Sequence, residues 1–257
     1  MRAFVADHLL PLLDQLRPFG RAFILGGIAL SLWLGLRRTS LDSRARTATW
    51  LAVVAPLLVW YVAIWQFALA NGFQARVAIG GVLAPIVPLA IFLPLLIWLP
   101  LLIRSQRLAA VLDAVSPAWL VGFQVYRVLG YVFLARWATG ELPGAFALPA
   151  GIGDVLVGLL AIPAALYLQS GAPGGRLAAY AWNLLGILDL AVAVTMGALT
   201  TTGLVPVEVP NVATSSYPLV MIPAFAVPLS LILHGVSLWQ LTRRARAATP
   251  ALVARMS

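Results

Sequence analysis

Seven stretches of almost unbroken apolar residues, joined by short polar or basic connections, organise the chain. They cover approximately 19–36, 49–70, 77–103, 118–137, 151–169, 177–199 and 217–241. Each is near the ~20 residues a helix needs to cross a bilayer core. Residues 2–17 follow another pattern. Val5, Leu9, Leu12, Leu13 and Leu16 recur at helical spacing, while Asp7, His8, Asp14 and Gln15 fall elsewhere. That spacing predicts an amphipathic helix lying on the membrane surface. The expected fold is an all-α polytopic membrane protein. Its parts are an interfacial helix over 1–18, a seven-span domain over 19–241 and a basic cytoplasmic tail over 242–257.

Three regions depart from the plain pattern. The longest apolar stretch, 77–103, is expected to start as a loop and enter the bilayer nearer Pro85. Residues 138–153 are too apolar for a solvated loop and predict a segment dipping into the outer leaflet, which needs protein cover for its backbone. Prolines crowd two spans, at Pro85, Pro88, Pro94 and Pro100, then at Pro218, Pro223 and Pro228. Each removes a backbone donor and frees a carbonyl. The result is either a simple kink or a hinge with exposed carbonyls, as in broken-helix transporters.

Composition supports the membrane reading. The chain is 62% apolar and 10% charged, against about 25% charged in soluble domains. So few charges could not cover a water-facing surface. All 17 basic residues are arginines, the codon bias of a GC-rich genome. Eleven sit at one set of connections: Arg37, Arg38, Arg44, Arg46, Arg104, Arg107, Arg176, Arg243, Arg244, Arg246 and Arg255. Five sit at the other: Arg2, Arg17, Arg21, Arg76 and Arg136. The positive-inside rule then places the N-terminus outside and the C-terminus in the cytoplasm, in the cytoplasmic membrane of a bacterium. The net charge of +9 is read as a topology signal, so nucleic acid is not expected as a partner. The first 20 residues carry Asp7, Asp14, Pro11 and Pro18 and do not form a cleavable signal.

Charge inside the apolar stretches carries the candidate chemistry. Arg127 lies within 118–137, and an arginine at that depth costs ~3 kcal/mol or more by insertion scales. Asp154 and Asp189 lie in other spans and answer it. Counting ~1.5 Å per residue, Arg127 sits ~13 Å from the cytoplasmic end, Asp189 ~18 Å and Asp154 roughly 20 Å or more. Asp189 is therefore the expected partner of Arg127, and Asp154 the spare, proton-exchanging acid. Gln124, Asn183 and His234 fall at ~9–10 Å by the same count and form a polar layer beneath. Gly151-Ile-Gly-Asp154 and Gly186-Ile-Leu-Asp189 match on spans of opposite direction, the pattern of an inverted repeat.

Several chemistries are excluded. Without cysteine there is no thiolate catalysis or disulfide. Two histidines on opposite sides hold neither zinc nor haem, and a chain without lysine cannot bind retinal as a Schiff base. No Gly-x-Ser-x-Gly elbow, phosphate loop or dinucleotide fingerprint occurs. Neither metal nor cofactor is expected. The partners anticipated are the lipid bilayer and a small molecule or proton, with a homo-oligomer left open.

Three functions remain. The leading one is a small transport or permeation protein, with proton coupling as an option, centred on Arg127, Asp154 and Asp189 with Gln124, Asn183 and His234 orienting water or substrate. The second is an intramembrane enzyme acting on a lipid or isoprenoid, with the aspartates as acid and base; the missing enzyme signatures weigh against it. The third is a structural or accessory subunit in which the charges only fix packing.

Overall fold

The computed structural model describes residues 10–79 and 82–256. Its elements are α1 (Leu10–Leu36), α2 (Ser43–Leu69), a short hairpin of β1 (Arg76–Ile79) and β2 (Val82–Pro85), α3 (Val87–Arg104) and α4 (Gln106–Ala114). α5 (Pro117–Gly122), a 3-10 segment (Phe123–Gly130) and α6 (Tyr131–Ala138) follow as one rod. Then come α7 (Gly144–Gln169), α8 (Gly175–Thr202), a π-helical turn (Ile222–Ala226) and α9 (Val227–Met256). Six helical rods among the described residues are long and apolar enough to cross a membrane, and Phe23–Leu36 is a shorter apolar stretch. The fold is a helical membrane bundle. One end carries the β-hairpin and the other the arginine-rich connections, and these ends are called the hairpin end and the arginine end below.

Local chemistry sets the helix ends. Asp42 caps α2 by accepting from the Ala45 N–H at 2.7 Å. Ser105 caps α4, accepting from Leu108. Ser116 precedes Pro117 at the first turn of α5, where a missing donor costs nothing. The connection between α7 and α8 turns through Gly171 and Gly174, both at positive φ.

The structure redraws several expected boundaries. The expected interfacial helix lies partly outside the described residues, and from Leu10 the chain forms one helix through to Leu36. The 77–103 stretch opens as the antiparallel hairpin, with Val77 opposite Ala84, and becomes helical at Val87. The expected leaflet-dipping segment is instead helix from Gly144 onward. Pro143 is its N-cap, and Pro149 and Pro163 lie inside the helix. The last span opens with the π turn, and the expected tail is a continuation of α9.

Packing differs across the bundle. α5, α7 and α8 meet through small residues: Ala118, Val121, Val157, Ala161 and Ala165 surround Trp182. Small side chains let helix backbones approach, which drives association where lipid removes the hydrophobic incentive. A second cluster joins α2 to the π turn, with Phe73, Val220, Ala224 and Phe225 packed on Trp60 and Tyr61.

Candidate functional site

Arg127 lies at the centre of the 3-10 segment. Runs of 3-10 helix beyond 3–4 residues are uncommon, and mid-helix ones often mark strain or function; this one has 8. Side chains three apart eclipse in such a helix, so Gln124, Arg127 and Gly130 form one ridge, and all three are buried. The ridge lies against α7. A Cβ on Gly158 would collide with the backbone N of Val128, and one on Gly130 with Asp154. Glycine at these positions allows the backbone contact.

All three nitrogens of the Arg127 guanidinium are engaged. Nε donates to Asp154 Oδ1 at 2.8 Å, and Nη2 lies 2.8 Å from the same oxygen. Nη2 also donates to Asp189 Oδ2. Nη1 donates to the Gly186 carbonyl at 3.2 Å and to His234 Nε2 at 3.3 Å. The arginine side chain is 2% exposed. Glycines again make the room: a Cβ on Gly153 would fall on the Asp189 carboxylate, and one on Gly186 on the His234 ring.

Both aspartates therefore meet Arg127, and Asp154 is not the free acid that depth counting suggested. The two Gly-Ile-x-Asp segments stand on adjacent antiparallel helices and deliver matched carboxylates. Their glycines do different work. The Gly186 carbonyl accepts from Arg127, whereas Gly151 makes room for Leu134.

Each carboxylate binds Arg127 through one oxygen only. Among the described residues, Asp154 Oδ2 and Asp189 Oδ1 accept no hydrogen bond. With both ionised, one guanidinium faces two carboxylates and the cluster carries one net negative charge. The site thus retains acceptors and lacks donors.

A neutral chain continues toward the arginine end. Because Arg127 donates to His234 Nε2, the hydrogen-bond pattern assigns the ring proton to Nδ1, which donates to Asn183 Oδ1 at 3.0 Å. Asn183 Nδ2 donates to the Ala179 carbonyl at 2.8 Å and to Ser237 Oγ at 3.1 Å. Trp182 packs beside His234 with its ring tilted by 43° and centroids 5.0 Å apart, and donates its N–H to the Val157 carbonyl. Gln124 is fully buried, yet both ends of its amide are without partners among the described residues. It shares the ridge of Arg127 without joining this chain.

Sequence reasoning missed Ser237, and also the Tyr126–Ser230 hydroxyl pair at 2.8 Å. The available signal was the spacing of Ser230, His234 and Ser237, which puts three polar groups on one face of α9. Of the supporting glycines, Gly153 and Gly186 fell within the matched segments, whereas Gly130 and Gly158 left no such mark among 21 glycines.

Two cavities reach the cluster, and Asp154 lines both. One, ≈ 180 Å³, is walled by Tyr61, Tyr126, Leu219 and Phe225. The other, ≈ 60 Å³, extends toward the hairpin end past Thr201, Thr214 and Ser215. A third, ≈ 170 Å³, lies among Trp60, Trp98 and Trp119 and touches none of the charged cluster. Among the described residues no group of three or more His, Cys, Asp or Glu side chains is placed to hold a metal.

Neither a curated protein nor a solved structure matches the chain. A family model described as a domain of unknown function (DUF8737) matches residues 84–242. The match covers more than half of the chain and contains Gln124, Arg127, Asp154, Asn183, Asp189 and His234, so the protein belongs to that family.

Proposed function

We propose that the protein is a small, proton-linked permeation or transport protein of the bacterial cytoplasmic membrane, with Arg127, Asp154 and Asp189 as its charged centre. One observation carries this reading. Every guanidinium nitrogen of Arg127 is already bonded, while each aspartate keeps an open oxygen and Asp154 borders two cavities. A purely structural ion cluster would match charges and close around them. This one has an excess carboxylate in contact with open volume, which a proton or a cation balances. Ionisable groups in spans commonly line such pathways. His234, Asn183 and Ser237 extend hydrogen bonding from the cluster toward the arginine end. The eleven arginines of that end support an orientation with it in the cytoplasm.

In this reading Asp154 exchanges the proton, and Arg127 holds the carboxyl in register. The test uses the full chain in liposomes loaded with a pH-sensitive dye and given an external acid pulse. Wild-type protein is expected to admit protons well above the protein-free leak, and Asp154→Asn to fall to that leak at equal reconstituted amounts. Equal flux in the two proteins would overturn the assignment.

A further inference from the structure

We propose that the ≈ 180 Å³ cavity beside Asp154 binds a small lipophilic cation, an ammonium on an apolar body, in exchange for the Asp154 proton. The proposal rests on the proton-exchange reading and names the substrate class of that site. Three observations converge on it.

The first is the balance of donors and acceptors. The charged side chains facing the cavity are Arg127, Arg136 and Asp154. Arg136 is ion-paired with Glu141, and every guanidinium nitrogen of Arg127 already donates to an acceptor. Asp154 is 9% exposed, and its Oδ2 accepts nothing from a described residue. An anion entering here would find each Arg127 nitrogen already bonded and would face a carboxylate. A cation meets an open acceptor and cancels the net negative charge of the cluster.

The second is the wall. Ile24, Leu25, Leu219 and Met221 make most of the lining apolar, and Tyr61, Tyr126 and Phe225 supply aromatic rings. Tyr61 and Phe225 pack edge to face at 5.1 Å. Aromatic faces beside a carboxylate recognise alkylammonium groups through the ring quadrupole. A hydrated metal ion would find few polar groups with which to replace its water.

The third is the site's backbone. The π turn Ile222–Ala226 places Phe225 in this wall, and the cavity also touches Val227 just after it. π turns of this kind are frequent at functional sites. No covalent step is involved: the carboxyl O–H releases its proton to water, and the carboxylate then receives the cation.

The probe is benzyltrimethylammonium, with neopentylbenzene as its uncharged isostere and phenylacetate as an anion of related shape. Binding to the purified full chain is measured by calorimetry in buffers of different ionisation enthalpy. The ammonium is expected to bind with release of about one proton. The isostere is expected to bind about tenfold more weakly or worse, and phenylacetate not to bind. Asp154→Asn is expected to lose both affinity and proton release. Equal binding of the isostere, tighter binding of phenylacetate, or ammonium binding by wild type without proton release would each overturn the proposal. The last comparison needs no variant to fold. Failure here with acid-driven proton flux intact removes the cation site and leaves the proton-exchange reading standing.

Discussion

The bundle has two kinds of helix, and they differ in what they bury. α2 and α3 turn leucine, valine and phenylalanine outward; Leu96 is 73% exposed, and Val59, Phe92 and Leu93 are also open. The rod from α5 to α6, with α7, α8 and α9, also turns leucines outward, Leu166 and Leu177 among them, but encloses polar groups as well: Gln124, Asn183, His234 and Ser237 are all fully buried. In water this arrangement would be inverted. In lipid, leucine gains little by leaving the acyl chains, whereas an unsatisfied polar group costs several kcal/mol. Polarity therefore decides which faces turn inward, and small residues decide how closely they pack.

The comparison can be broken by removing Arg127 alone. Arg127→Leu leaves two carboxylates facing each other in the core, and we expect a loss of about 3–5 kcal/mol. Thermal unfolding in detergent, followed by size-exclusion fluorescence, should show little folded protein. Gly158→Ala tests whether the polar half needs close backbone contact. Its new methyl meets the Val128 backbone, which cannot rotate away as a side chain can. A loss of about 1–3 kcal/mol is expected by overpacking; an unchanged melting temperature would show that the 3-10 segment is not pressed on α7.

Smaller effects sharpen the contrast. His234→Phe removes the acceptor of Arg127 Nη1 and the donor to Asn183, and should cost about 1–3 kcal/mol. Ser237→Ala removes one interhelical bond and should cost about 0.6 kcal/mol. On the lipid side, Leu96→Ala should change stability by less than about 0.5 kcal/mol. A larger loss at Leu96 would mean that α3 is covered by protein, for example by another copy of the chain.

The lipid-facing half was the more legible in sequence. α2 carries no charge from Thr47 to its end, and an apolar stretch of that length has one reading. The polar half was legible in its residues but not in its geometry. Residues 118–137 show no signal for 3-10 helix, because the Gly158 contact that accompanies it is 31 positions from Arg127. The error at Asp154 follows from this. A 3-10 turn rises ~2.0 Å per residue against ~1.5 Å in an α-helix, which lifts Arg127 by about 2–3 Å toward both aspartates. Gly144–Gly153, rich in glycine and proline, gave no helical signal, because α7 is held there by Phe146, Ala147 and Ala150 packing on Phe133 and Leu219.

In the proposed function, the charges in the polar half serve exchange rather than packing. The direct test replaces all three together, as Arg127→Leu, Asp154→Leu and Asp189→Leu. A buried charged triad can often be exchanged for apolar residues without loss of stability. The reading predicts a variant that still folds and inserts but shows only the protein-free leak after an acid pulse. A folded variant that keeps the wild-type proton flux would contradict it.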